Sequence, residues 1–533
     1  MTATRNDGTA TSTATCTLAD ATVDALLRNG VRVVFGIGGT HTLPLLGAIE
    51  RSDLSFVGAR TELGAAYMAI GYARASGQAA VALTSTGPGA LNAVSALQDA
   101  QWSSIPLIHL TTSVGGPPGA GFAGAVHETP AQHELLRLAG KDCVRVTPED
   151  PYPGIGAAVR LAHEQPRGPV TVEIPAGCWP TPVAPPVDEV GIPTPATTPP
   201  GVGDLADALQ AARRPVFFAG GGALARDGGR AVLELAEHLH APVVTSYQGK
   251  TIADRAHPLN LGPWASESAV RDGVARADVV VVFGSKLSAL GTGAWQLALP
   301  ERTWRVDLHG RTHPRYPRLR ELPADAAAVA IELRARLDPK PPWAAEGVPA
   351  GVLKGARERS DLAMRYVDAL GAPELFAADM SKAGFWAMKF LSTRAPSVQA
   401  FSSYLAMGTA LPMAIGMTVA RRRPAVVVVG DGGLQMSLAE LATIAEHRLP
   451  VTLVVIVDGA YGMLRDNSAT VSGSTDLGLT LWNPDLGALA GSFGIPHADV
   501  RAPEQLAAIL ADSSGGGAGP RMALVHDTFP RTW

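Results

Sequence analysis

The run Ala425-Val426-Val427-Val428-Val429 has no polar position. It is the length of one strand and offers no face to water, so it predicts a strand buried on both sides, as in a parallel sheet. Parallel strands need long crossovers, usually helical, so helices must cover such a sheet. The next residues fit that demand. Gly430-Asp431-Gly432-Gly433 is a glycine-rich turn, and Leu438, Leu441 and Ile444 then recur at helical spacing. The local fold is therefore strand, tight turn, helix, with the turn at the strand's carboxyl end.

The same alternation runs through the chain. Buried strands are expected at 80–83, 106–110 and 170–174, at 216–219, 242–245 and 279–283, and at 425–429, 452–457 and 523–525. Helical spacing occupies the intervals, as at 18–29 and 205–212. This predicts an α/β protein of three doubly wound parallel-sheet domains. Its 533 residues exceed what one core holds. Two Pro-rich stretches, Val183 to Gly203 and Asp338 to Pro349, divide it into thirds. The expected division is a disordered start over 1–15, an N-terminal domain over 16–182, a linker over 183–203, a central Rossmann-like domain over 204–338, a second linker over 339–354 and a C-terminal domain over 355–533. No short repeat is visible.

Composition excludes several classes. Apolar residues make up 46% and charged residues 17%, and net charge is −4 without a block of one sign. No nucleic-acid or membrane partner is expected. Arg421-Arg422-Arg423 reads as a helix end. Cys16, Cys143 and Cys178 give neither a metal spacing nor a disulfide framework. No apolar run reaches membrane-spanning length, and the polar first residues lack a signal peptide's apolar core, so a cytoplasmic protein is expected.

Asp431 stands at the carboxyl end of its strand, where α/β sheets place ligands. The strand 452–457 ends in Asp458-Gly459-Ala460-Tyr461-Gly462, and Asp458 follows Asp431 by 27 residues. In a βαβ unit that spacing brings both acids to one edge. Two carboxylates and the Ala460 carbonyl form a hard-oxygen set suited to Mg²⁺ beside a phosphate. A second glycine-rich turn, Gly220 to Gly222, reads first as a tight structural turn and second as a nucleotide site.

The unit from Gly430 to Tyr461 resembles the diphosphate-binding motif of thiamin-diphosphate (ThDP) enzymes, which begins Gly-Asp-Gly and usually ends Asn-Asn. Here Val457-Asp458 stands at that end, which adds a negative charge. The group resembled is that of acetolactate synthase, benzoylformate decarboxylase and pyruvate decarboxylase. Overall the chain looks most like acetolactate synthase large subunits, from about Leu18 to about Val525. The resemblance implies a pyrimidine-binding N-terminal domain and a diphosphate-binding C-terminal one, with ThDP and Mg²⁺ as cofactors; FAD stays undecided. Gly430, Asp431, Gly432, Gly433, Asp458, Ala460 and Tyr461 would bind cofactor, with Asp431, Asp458 and Ala460 on the metal. Arg60-Thr61-Glu62-Leu63-Gly64 resembles the segment whose glutamate meets the aminopyrimidine. Glu62 would then hold the proton that favours the imino tautomer and so the thiazolium ylide. Ser85 to Asn92 resembles a loop beside that ring. In Leu405-Ala406-Met407-Gly408, Met407 would wedge between the two rings and the Leu405 carbonyl would accept from the 4′-amino group. Ser381 and Lys382 would touch the diphosphate. The resemblance also implies active sites shared between subunits, in a homodimer or homotetramer.

The loop Phe35 to Pro44 borders the reacting carbon in this resemblance. It makes Thr40 and His41 candidates for substrate binding or proton transfer, with His127 a third. No adjacent His-His pair occurs, unlike a typical pyruvate decarboxylase. The Gly115 to Gly124 loop could act as a lid. The expected function is decarboxylation of a 2-oxo acid and ligation of the resulting enamine to a carbonyl acceptor. The first alternative is a simple decarboxylase releasing an aldehyde. Alternatives of other classes are a non-catalytic ThDP-fold binding protein and a flavin or nicotinamide oxidoreductase.

Overall fold

The computed structural model describes residues 16–115, 122–184, 186, 201–308, 310, 313–343, 347–393, 397–471, 476–513 and 519–532. It contains three six-stranded sheets. The first holds β1 (Val33–Gly36), β2 (Ser55–Gly58), β3 (Ala80–Leu83), β4 (Leu107–Ser113), β5 (Asp142–Arg145) and β6 (Pro169–Pro175) in the order β2-β1-β3-β4-β6-β5. The second holds β7 (Pro215–Ala219), β8 (Val243–Thr245), β9 (Asn260–Gly262), β10 (Val279–Phe283), β11 (Thr303–Val306) and β12 (Arg320–Leu322) in the order β12-β11-β10-β7-β8-β9. The third holds β13 (Leu375–Ala378), β14 (Val398–Ala400), β15 (Ala425–Gly430), β16 (Val451–Ile456), β17 (His497–Val500) and β18 (Arg521–Val525) in the order β14-β13-β15-β16-β18-β17. All pairings within the sheets are parallel. Strands such as β3, β10 and β16 are buried at every position, as apolar runs demand when helices cover both faces. The chain thus folds as three α/β domains.

Counted from its own first strand, the third sheet repeats the order of the first. The central sheet instead has the Rossmann order. The repeat extends to packing. Helix Glu62–Ser76 follows β2, and helix Ala410–Arg421 follows β14, the same place in each winding. These helices cross with their backbones almost touching. A Cβ on Gly71 would stand 2.0 Å from the Met413 carbonyl oxygen, and one on Gly416 would stand 1.8 Å from that of Met68. Each methionine lies three residues before its own helix's glycine, so the crossing reads alike from either side. One apolar core runs through it, from Val33 and Phe35 to Val427 and Leu453.

The Gly220 to Gly222 turn is filled by protein. A Cβ on Gly220 would lie 2.3 Å from the Gly284 carbonyl oxygen, and the Gly222 N–H donates to that same oxygen at 3.0 Å. These glycines let the loops after β7 and β10 close on each other.

Two boundaries differ from expectation. Helix Val348–Arg359 begins inside the second expected linker, and Pro349 sits in its first turn, where a missing N–H costs nothing. Helix Val202–Ala211 likewise starts inside the first. Arg421 ends its helix as expected, with Arg422 left-handed at φ 53°. The expected disordered start, most of the first linker and residues 116–121 of the expected lid lie outside the described residues. Among the described residues, no helix is long and apolar enough to cross a membrane.

Candidate active site

β15 and β16 pair with Gly430 opposite Ile456, so Asp431 and Asp458 leave the third sheet at one edge. Asp431 is buried, and its carboxylate is held from three sides. Oδ1 accepts from the Gly432 N–H (2.8 Å), and Oδ2 accepts from the Gly459 N–H (2.7 Å) and the Asn483 amide (2.6 Å). Asp458 is half-buried, and its Oδ1 accepts from the Ala460 N–H at 3.3 Å. Burial, and then the charge of Asp431, pushes the Asp458 carboxyl above its ordinary range, while Lys382 pulls the other way.

The loop between the acids and the next helix is clamped. Tyr461 N–H donates to the Leu479 carbonyl (2.9 Å), and Leu481 N–H donates to that of Gly459 (2.8 Å). Tyr461 packs so near Gly432 that a Cβ there would stand 2.7 Å from its ring. Ser381 caps the helix Lys382–Phe390, accepting from Gly384 N–H at 3.0 Å. Ser381, Lys382, Met407, Gly430 to Gly433, Asp458, Ala460 and Tyr461 all line one cleft. Its donor set, two acids and backbone groups with a lysine beside them, fits Mg²⁺ and a diphosphate.

Leu405 does not line that cleft; two residues before Met407, it adopts φ 62°, a left-handed backbone that a leucine enters at a cost of about 1–2 kcal/mol. Surrounding bonds hold the loop. Ala406 N–H donates to Ser402 Oγ (2.9 Å), and Gly408 N–H donates to Asp379 Oδ2 (2.7 Å). Burial pushes the Asp379 carboxyl up to about 6, against the pull of backbone N–H groups. Its Oδ1 has no partner among the described residues.

Thr40, His41, Glu62 and His127 do not line that cleft. They gather at the carboxyl edge of the first sheet, in the segments that follow β1, β2 and β4. Glu62 opens its helix just after the N-cap Thr61, half-buried, and its Oε2 accepts from the Asn92 amide at 3.1 Å. The loop carrying Thr40 packs on Ser85, whose Oγ would be 2.8 Å from a Cβ on Gly39. His41 and His127, from separate loops, meet edge to face with ring centroids 5.6 Å apart. His127 is left-handed at φ 64°, and its carbonyl fits only because residue 87 has no side chain. The His41 Nδ1 is buried without a partner among the described residues.

Sequence reasoning missed Asp379, Asn483 and Glu440. Glu440 is fully buried and accepts from the N–H groups of Arg60 and Thr61, both at 3.1 Å, and from the Thr61 hydroxyl. It anchors the turn that presents Glu62. An acid at helical spacing reads as a solvent face, so nothing in its pattern marked it. His133, Cys143 and Glu173 bring ligand atoms within 4.8 Å of one another. The Glu173 oxygens are already matched, by the Gln132 amide (2.9 Å) and His133 (3.2 Å), and burial pushes the Cys143 thiol up. That cluster reads as a satisfied buried acid.

Comparison with known proteins identifies the family. Three parts of the thiamine pyrophosphate enzymes match in order: the N-terminal TPP binding domain over residues 16–122, the central domain over 202–329 and the C-terminal TPP binding domain over 379–526. A probable 2-ketoarginine decarboxylase, AruI, of Pseudomonas aeruginosa is 31% identical, over 94% of this chain and 92% of its own. A probable acetolactate synthase large subunit of Methanocaldococcus jannaschii is 28% identical over 92% and 88%. A sulfoacetaldehyde acetyltransferase of Castellaniella defragrans is 27% identical over 85% and 82%. With all three parts in order and a relative matched over nearly its whole length, the chain belongs to the thiamine pyrophosphate enzyme family and is a ThDP-dependent enzyme.

Proposed function

We propose that this enzyme decarboxylates a 2-oxo acid and completes the reaction by protonation, releasing an aldehyde. The observation that carries this is the meeting of His41 and His127. Imidazoles serve as proton donors and acceptors in catalysis, and here two of them meet at one sheet edge. An aldehyde forms when a proton replaces the carboxylate that leaves as CO₂, so a decarboxylase needs such a donor. The relative named for 2-ketoarginine decarboxylation points the same way.

ThDP, when bound, supplies the electron sink that lets CO₂ leave. Asp431, Asp458 and the Ala460 carbonyl would hold Mg²⁺, and Ser381, Lys382 and Gly430 to Gly433 the diphosphate. Met407 would keep the rings apart, and the Leu405 carbonyl would accept from the 4′-amino group. Glu62 would hold a proton at a pyrimidine nitrogen, and His41 with His127 would return one to the carbon that lost CO₂. Glu62 and the diphosphate cleft would come from different copies of the chain, in a homodimer or a pair of homodimers. Tyr404 and Leu405 on one loop and Trp482 on another are large side chains left 51%, 47% and 85% exposed, which suits burial against such a partner.

Ligation to a carbonyl acceptor is the second reading, favoured by the relatives named as acetolactate synthases. The test is product analysis with ThDP, Mg²⁺ and pyruvate, benzoylformate or 2-ketoarginine. Aldehyde as the main product, lost in His41→Ala, is expected. Ligated products without aldehyde would overturn the proposal.

A further inference from the structure

Asp379, Asp431 and Asp458 all line the cleft, and Lys382 is the only cation among its described lining residues. A diphosphate brings about three further negative charges, and one divalent ion returns two. An anion site with this many acids needs a fixed positive charge.

Lys382 is placed to supply it. It occupies the first position of helix Lys382–Phe390, and its side chain is 11% exposed. Its ion pair is with Asp466, at 3.4 Å, and Asp466 also faces Arg531 at 3.7 Å. Lys382 is thus not needed to satisfy Asp466. On its other side it shares the space over Gly462 with Asp458. A Cβ at 462 would stand 2.6 Å from Asp458 Oδ2 and 3.3 Å from Lys382 Nζ. Glycine keeps that space open, with a carboxylate on one wall and an ammonium on the other.

We propose that Lys382 and Asp458 work as a coupled pair: Lys382 is the counter-charge that allows a second carboxylate to serve the metal without repelling the diphosphate. The pairing rests on the diphosphate-site reading above. It goes further in making the two residues interdependent, so neither can be neutralised alone without changing cofactor binding.

The test is a double-mutant cycle read by calorimetric titration of ThDP at fixed Mg²⁺, with Lys382→Gln, Asp458→Asn and the double variant. The cofactor-free melting temperature of each variant checks that it is folded. Lys382→Gln should weaken ThDP binding by about tenfold or more, because it removes the cation that faces Asp458 across Gly462. Asp458→Asn in that background should restore binding to within about threefold of the wild type, since the local charge is again balanced. Effects that simply multiply in the double variant would overturn the pairing while leaving the diphosphate site in place. A wild-type chain that binds no ThDP would overturn the site reading, and the pairing with it.

Discussion

The carboxylate of Glu440 accepts a hydrogen bond from the backbone N–H of Thr61, 379 residues earlier in the chain, at 3.1 Å. This joins the third sheet's domain to the turn that carries Glu62. Removing the carboxylate strands the N–H groups of Arg60 and Thr61, while the Thr443 hydroxyl, which donates to Glu440 at 2.8 Å, keeps the Gly58 carbonyl at 3.4 Å. Each stranded group costs about 1–3 kcal/mol. Glu440→Ala should therefore lose about 2 kcal/mol in urea unfolding. Glu440→Gln, which keeps one accepting oxygen, should lose clearly less. Equal losses would show that these bonds contribute little.

The helix crossing has its own test. Gly416→Ala puts a methyl against the Met68 carbonyl and should cost several kcal/mol, as overpacking against backbone does. Gly273→Ala is the control. Gly273 lies in helix Ser268–Ala275 with nothing within 4 Å of the added atom, so alanine there should be neutral or stabilise by up to about 1 kcal/mol. Similar behaviour of the two variants would contradict the close approach.

Asp379 predicts a pH dependence of the cofactor-free protein. An acid whose folded pKa is raised holds its proton more tightly folded than unfolded. The resulting stability is present at low pH and is lost as pH rises from the ordinary value of 3.8 to about 6. The loss is at most about 3 kcal/mol. Asp379→Asn should flatten that part of the stability curve in urea unfolding across the interval. An unchanged slope would show that Asp379 is not its source.

The proposed sharing of active sites between subunits predicts complementation. Glu62→Gln and Asp431→Asn should each abolish turnover alone. In a mixed dimer, one site would keep both side chains while the other loses both. Co-expression should thus restore about half the wild-type turnover per mixed dimer. No recovery in isolated mixed dimers would place both residues in one chain's site.

The sequence revealed what depends on local pattern. β3 and β10 match their expected ranges, because an apolar run between turn signals has no other use. Asp431 and Asp458 were legible because one βαβ crossover separates them, and their shared edge follows from parallel register. What stayed hidden depends on meetings between distant segments. Nothing near Glu440 announces a buried acid, since its partners lie in another domain. The contact between His41 and His127 joins two loops that no periodicity relates. The repeated winding of the first and third sheets was also invisible, because topology survives when residues do not.

The crossing at Gly71 and Gly416 limits how the molecule can move. Two helices whose backbones touch have no side-chain layer between them to act as a bearing, so they can neither roll nor slide without separating. The first and third domains must travel as one rigid body. Any opening and closing around substrate is then left to the loops at the carboxyl edges, where Leu405 and His127 already hold unfavourable backbone angles that a small rearrangement would release.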